Sequence, residues 1–227
     1  MGVAGNLRKV QERVRQAALR ARRDPGEIRL VAVSKTAGPG EIKEAYAAGL
    51  SHFGENRLQD AREKIPLCPP DITWHFIGHL QANKAKAVLE DFALIHSLDS
   101  CKLAARLNRL GLEAGKTARV LVQVNMAGEA GKQGVPPGEV EGFLRQAASL
   151  PGLDIQGLMA MAPFSADPED SRPCFRAMRA LFDSLKIPGV RMEILSMGMS
   201  GDFEVAVEEG ATLLRIGSLI FLPEYND

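Results

Sequence analysis

The sequence predicts an α/β protein, a single (β/α)8 TIM-type barrel domain over residues 1–227 with an extra helix ahead of the first strand. Three observations carry this. Eight short runs rich in Val, Ile, Leu and Phe alternate with segments of helical period, the order of a parallel sheet whose strands are joined by helices. The first run, 28–35 (IRLVAVSK), is near-continuously apolar and too short for an ordinary helix, which suits a strand buried on both faces. Eight such units use the whole length and leave no residues for a second domain. A doubly wound open sheet is the alternative.

Residues 5–23 place Leu7, Val10, Val14, Ala17, Ala18 and Ala21 at helical spacing among Arg, Lys, Gln and Glu, an amphipathic helix whose arginines are expected to form its solvated face. Asp24-Pro25-Gly26 ends it. After the first strand, Gly38, Pro39 and Gly40 break the chain, and helix 39–48 follows with Pro near its start and Gly49 just past its end. Next come strand 51–54, closing on Glu55-Asn56, then helix 58–64 and a turn at Pro66, Pro69 and Pro70. Strand 72–77 (ITWHFI), helix 81–89, strand 93–97, helix 101–114 and strand 119–125 (RVLVQVN) continue the alternation. A glycine-rich loop, 126–134, leads to helix 137–149, strand 155–161, helix 170–185, strand 192–196, helix 204–209 and strand 212–216 (TLLRI). Only residues 217–227 follow, so the N-terminal helix is expected to cover part of the gap outside the last strand.

Composition excludes several classes. Lys plus Arg equals Asp plus Glu at 28 each, so no long-range field gathers nucleic acid or an anionic membrane. Cys68, Cys101 and Cys174 are far apart and odd in number, which argues against a disulfide framework or a zinc site and fits a reducing compartment. There is no apolar signal core, and no run approaches membrane-spanning length. The expected location is the cytoplasm.

Chemistry concentrates where strands end. Lys35 closes the first strand, the place where barrels carry their active sites. An amine held half-buried there loses hydration and becomes a Schiff-base candidate; a lysine that snorkels to water is the plainer reading. Phosphate groups in such barrels bind at the loops after strands seven and eight. Here those loops are Ser196-Met197-Gly198-Met199-Ser200-Gly201-Asp202 and Gly217-Ser218, with Ser200 and Ser218 as hydroxyl donors; an ordinary helix cap would look the same. Arg215, embedded in an apolar strand, requires a dedicated acceptor, either a carboxylate from a neighbouring strand or a ligand atom such as a pyridine nitrogen. His75 and His79 straddle a strand end and Gly78, so helical metal-pair geometry fails and no metal is expected. Asn56, Gln81, Asn83 and Asn125 suit a polar pocket or simple caps. Met159, Met161, Met197 and Met199 are expected to pack.

Taken in order, LVAVSKT, HFGENRLQD, WHFIGHLQANKAK, IHSLDS, GEAGKQG, GLMAMAP and LSMGMSGDFEVAVEEGATLLRIGS resemble the pyridoxal phosphate homeostasis protein family, single-domain relatives of the N-terminal barrel of bacterial alanine racemase. The resemblance runs from about Ile28 to Phe221. It implies that Lys35 binds pyridoxal 5′-phosphate as a Schiff base and that Ser200, Gly217 and Ser218 hold the phosphate. Met197 and Met199 would lend backbone and packing, Arg215 would approach the pyridine nitrogen, and Asn56 would lie beside the ring. Two departures stand out: Ser218 where the family usually has threonine, which keeps the hydroxyl, and Leu222 where glycine is more usual.

The implied role is storage, buffering or delivery of the cofactor in the cell, with no catalytic residue assigned. The alternative is an amino-acid racemase of the alanine racemase type, which needs a base on each face of the α-carbon. In alanine racemase the second base is a tyrosine from a further domain; neither Tyr46 nor Tyr225 is an obvious substitute. An arginine at the pyridine nitrogen weakens the electron sink, though racemases carry one as well. A phosphosugar aldolase using Lys35, with Glu55 and Asp99 as acid/base groups, is a third reading that leaves the seven motifs unexplained. Expected partners are the cofactor and, beyond it, apoenzymes that need it; the chain is expected to be a monomer, bound to neither nucleic acid nor membrane.

Overall fold

The apolar runs form eight parallel strands: β1 (Arg29–Val33), β2 (His52–Glu55), β3 (Thr73–Phe76), β4 (Leu94–Leu98), β5 (Ala118–Gln123), β6 (Leu153–Met159), β7 (Ile194–Ser196) and β8 (Leu213–Ile216). Each pairs with the next, and β8 pairs with β1 to close the barrel. This computed structural model describes residues 2–126, 128, 131 and 133–222. At the closure, Val31 stands opposite Arg215 and Ala32 opposite Ile216, while Val33 stands opposite Gly54 of β2.

Helices α1 (Val3–Arg20), α2 (Pro39–Ala47), α3 (Leu58–Lys64), α4 (Ala85–Asp91), α5 (Cys101–Glu113), α6 (Val140–Ala148), α7 (Arg172–Ser184), α8 (Phe203–Glu208) and α9 (Ser218–Phe221) surround it. Three begin later than their sequence patterns suggest. Residues 81–84 are a turn before α4, and the starts of the expected helices 137–149 and 170–185 are 3₁₀ turns, Pro137–Glu139 and Pro168–Ser171. Proline at the head of each suits a tighter first turn that needs no N–H from it.

The short α9 leaves the seam beside β8 half covered, and α1 fills the rest. Asn6 of α1 donates to the carbonyl of Ile220 at 3.2 Å. The arginines of α1 are exposed, as its amphipathic pattern predicts, and two of them, with Arg23 just past its end, also tie it to α8. Arg13 and Arg20 pair with Glu204 and Glu208 of α8 at 2.6 and 2.9 Å, and Arg23 donates to the carbonyls of Val207 and Ala211.

The sheet separates two apolar layers. The large one lies between strands and helices, with Phe53, Phe175 and Phe203 fully buried in it. The inner one is small: Leu94, Leu121 and Met159, with Ile194 packed against them. Buried polar side chains, among them His75, His96, Ser196 and Arg215, accompany it. A barrel of this kind is ordinarily filled by branched aliphatics. This one is polar inside.

Candidate functional site

Four adjacent strands, β7, β8, β1 and β2, bring most of the expected site residues to one sector at the carboxyl end of the barrel. Lys35 lies two residues beyond β1, Asn56 directly after β2, Met197–Ser200 after β7, and Gly217–Ser218 after β8.

Lys35 sits in a turn and is exposed, which corrects the expectation of a half-buried amine. Among the described residues its ammonium has no hydrogen-bond or ion-pair partner. What is buried is its support. The Ser34 N–H donates to Gly54 O at 3.0 Å in continuation of the ladder. Ser34 Oγ donates to Glu55 Oε1 at 2.7 Å, and Lys64 Nζ of α3 donates both to Ser34 O at 2.8 Å and to Glu55 Oε1 at 2.9 Å. Glu55 is fully buried in this contact, so it braces the lysine turn and does not face the barrel mouth as an acid/base group would.

Asn56 is half-buried and its Oδ1 has no partner. A buried acceptor left unpaired costs roughly 1–3 kcal/mol, so its position calls for a ligand or ordered water. Gly78 makes that position possible: a Cβ there would lie 2.1 Å from the Asn56 carbonyl oxygen.

The loops after β7 and β8 touch. Gly217 N donates to Ser200 Oγ at 3.4 Å, and a Cβ on Gly217 would lie 2.9 Å from Val33 O, so the β8 loop presses onto the end of β1. The N–H groups of Ser200, Gly201 and Ser218 have no acceptor among the described residues and remain as free backbone donors of the kind that take phosphate oxygens. The two methionines differ. Met197 is fully buried behind the loop, and its N–H is taken by Leu213 O; Met199 is 37% exposed, with its N–H held by Asp202 Oδ1. Neither has a free N–H to offer. Met161, expected to pack, is likewise exposed at the rim, where it lines a cavity of about 450 Å³ with Gln123, Phe164 and Met199.

Arg215 is 4% exposed and has no carboxylate partner among the described residues. Its Nη1 donates to Ser196 Oγ at 2.6 Å and its Nη2 to Ala160 O at 2.9 Å. Burial lowers its pKa to about 10, so it stays a cation, and among the described residues its five donor hydrogens meet only these two acceptors. Among the described residues no carboxylate forms an ion pair with it, and Asp202, just ahead of α8, acts on it only through its charge. Behind Ser196 stand His96, His75 and His52 in hydrogen-bonded succession, all facing inward. The sequence reading passed over His52 and His96. Their signal is positional, one histidine in each of three consecutive strands at inward-facing register.

Gln81 and Asn83 are exposed in the turn before α4 and do not join the site. His79 pairs loosely with Asp99 at 3.6 Å. Among the described residues no three His, Cys, Asp or Glu side chains are grouped to hold a metal. Residues 127, 129, 130 and 132 of the glycine-rich loop, and Tyr225, lie outside the described residues. No described helix is long and apolar enough to cross a membrane.

A barrel with a lysine turn after its first strand and a donor-rich pair of loops after its last two defines a class. Residues 5–224 match the alanine racemase N-terminal domain. Within that class the chain belongs to the pyridoxal phosphate homeostasis protein family. It is 42% identical over 223 residues to the "Pyridoxal phosphate homeostasis protein" of Aquifex aeolicus, covering 97% of this chain and 98% of that one. The structure of PipY of Synechococcus elongatus with PLP bound superposes with a TM-score of 0.81 at 40% identity, covering 93% of this chain and 99% of PipY. Alanine racemase of Corynebacterium glutamicum shares the fold, with a TM-score of 0.74 at 16% identity; the match covers 98% of this chain and 61% of the racemase.

Proposed function

We propose that this chain binds pyridoxal 5′-phosphate in the sector formed by β7, β8, β1 and β2, and that it stores, buffers or delivers the cofactor without robust turnover of its own. The observation that carries the reading is Arg215: a buried cation with no carboxylate partner among the described residues, on the strand beside the one that carries an exposed and unpartnered Lys35. The naming of the Aquifex relative and the PLP held by PipY support it.

The residues present fit the group. The cofactor supplies an aldehyde carbon that takes an amine and an aromatic ring that accepts electrons. Lys35 would supply the amine, its turn held in place by Lys64 and Glu55. Ser200 and Ser218 would hold the phosphate through their hydroxyls and N–H groups, with Gly217 keeping the backbone close. Arg215 would face the ring nitrogen, where its charge disfavours a proton and so weakens carbanion chemistry, which suits a carrier. Asn56 would pair its orphaned Oδ1 beside the ring. Met199 would line the rim, and Met197 would back the phosphate loop. The site would work in the cytoplasm on one barrel domain, a monomer, with apoenzymes that need the cofactor as recipients.

The second reading, an amino-acid racemase, is favoured by the shared barrel. It requires a second proton-transfer group opposite Lys35. Tyr46, the sole tyrosine among the described residues, sits in α2 with its hydroxyl bonded to Asp71, away from the barrel mouth.

An absorption spectrum of the purified protein, followed by borohydride reduction and peptide mass mapping, tests the reading. A visible band and a reduced adduct on Lys35 are expected. No band after added pyridoxal phosphate, and no adduct, would overturn it. Rapid loss of optical purity in L-alanine would move the assignment to the racemase.

A further inference from the structure

Three histidines, a serine and an arginine cross the barrel interior in one unbroken row. His52 Nδ1 lies 3.0 Å from His75 Nε2, and His75 Nδ1 lies 3.0 Å from His96 Nε2. His96 Nδ1 lies 3.1 Å from Ser196 Oγ, which accepts from Arg215 Nη1 at 2.6 Å. The row starts at half-buried His52, in a cavity of about 320 Å³ at the amino end of the barrel, lined also by Arg15, Arg29 and Ser51. It ends at Arg215, the cation of the candidate site. Five strands contribute one residue each or pair across it, so the row is a feature of the closed barrel.

Hydrogen counting gives it a direction. A guanidinium only donates, so Ser196 Oγ must accept from Arg215. The serine has one hydrogen of its own, and its other neighbour is His96 Nδ1. If His96 carried its hydrogen on Nδ1, both neighbours would donate to Ser196. The fully buried hydroxyl hydrogen would then be stranded, at a cost of roughly 1–3 kcal/mol. Ser196 therefore donates to His96 Nδ1, and His96 carries its hydrogen on Nε2 and donates to His75 Nδ1. His75 in turn carries its hydrogen on Nε2 and donates to His52 Nδ1. One tautomer per ring follows, dictated from Arg215.

The row also stays neutral. Arg29 of β1 faces it at one end and Arg215 of β8 at the other, and among the described residues no carboxylate lies within ion-pair reach of the three imidazoles. Burial, then His52 and Arg29, holds His75 down to about 3; burial, then His75 and Arg215, holds His96 well below its ordinary value. A carboxylate in the place of Ser196 would cancel the guanidinium charge. A hydroxyl backed by neutral imidazoles accepts from it and forms no ion pair; the carboxylate of Asp202, just ahead of α8, favours the guanidinium charge without bonding to it.

We infer that His52, His75, His96 and Ser196 form a tautomer-locked relay that positions Arg215 as a cation outside any ion pair and thereby sets the proton affinity of the bound cofactor. The last clause rests on the pyridoxal phosphate reading; the tautomer lock does not. These four are positioning residues, acting through Arg215.

Two arms test it. In the first, long-range ¹H–¹⁵N correlation spectra of histidine-labelled protein without cofactor should show His75 and His96 as neutral Nε2–H rings, unchanged between about pH 5.5 and 8, with neutral His52 at the upper end of that range in the same tautomer. An Nδ1–H tautomer on His75 or His96, or a proton gained there in that range, would overturn the relay. In the second, Ser196→Ala in the cofactor-loaded protein should move the pH midpoint of the visible band by about half a unit or more, with Ser196→Thr restoring it. A midpoint unmoved in Ser196→Ala, with only the melting temperature lowered, would reduce Ser196 to a structural residue and overturn the inference. If Ser196→Ala does not fold, the first arm decides. If the wild type takes no cofactor at Lys35, the pyridoxal phosphate reading fails and the first arm still judges the tautomer lock.

Discussion

The ammonium of Lys64 donates to the carbonyl oxygen of Ser34 at 2.8 Å, so a side chain from α3 grips the backbone one residue before Lys35. The same ammonium lies 2.9 Å from Glu55, which is fully buried. Removing one partner from such a pair leaves an uncompensated buried charge. Lys64→Met should cost about 3 kcal/mol in chemical denaturation. Adding Glu55→Gln, which removes the stranded charge, should recover part of that. The double variant should bind cofactor more weakly than wild type, because the Ser34 carbonyl remains unheld.

Acid stability follows from the inner histidines. His75 has a pKa of about 3 in the fold against an ordinary 6.5, and those of His52 and His96 are lowered too, each first by burial. The unfolded chain therefore binds more protons than the native one below pH 6.5. The stability these neutral rings contribute is complete above pH 6.5 and is lost as pH falls toward 3. Unfolding free energy should drop by up to about 1.4 kcal/mol per pH unit for each histidine. Urea denaturation at pH 7, 6 and 5 reads the slope, and His75→Gln should flatten it by one proton.

Gly78→Ala probes how Asn56 is placed. The new methyl would need space that the Asn56 carbonyl occupies at 2.1 Å, so the backbone after β2 must shift. Cofactor affinity should fall at least about tenfold, and stability by 1–3 kcal/mol. A calorimetric titration and a melting curve measure the two.

Ser218→Thr should be nearly silent. Ser218 is exposed at the head of α9, so an added methyl meets solvent and the hydroxyl is kept. Cofactor affinity within about threefold of wild type, and stability within 0.5 kcal/mol, are the expected results.

Much of this was legible in the chain because strand runs and breaks are local signals. IRLVAVSK, ITWHFI and TLLRI each read as strands from their apolar content, and each lies in the barrel within one or two residues at either end. Lys35, Ser200 and Gly217 stand out in the sequence because strand ends are where chemistry is expected in this architecture. The surroundings of Lys35 were less legible. Its exposure depends on how the turn leaves β1, and its brace, Lys64, comes from a helix end 29 positions away that carries no local sign of that contact. The histidine row was harder still. Each histidine looks like an isolated polar residue in an apolar run, and only closure of the barrel sets the three rings end to end. Arg215 announced that it needed an acceptor, but a hydroxyl in that role, with no carboxylate, is a property of the packed interior.

The seam where β8 meets β1 has a consequence for how the molecule is made. Lys35 and Asn56 come from early in the chain, whereas Ser200, Arg215 and Gly217 come from late in it. A ligand gripped by both groups is held across the last joint to form. A partly emerged chain offers only half of its contacts, and capture becomes a readout of completed closure. Binding energy that favours only the closed state then adds to stability by mass action, about 2.7 kcal/mol at a hundredfold excess over the dissociation constant. A molecule of this design would be most easily unzipped, and most exposed to proteolysis, when its ligand is scarce.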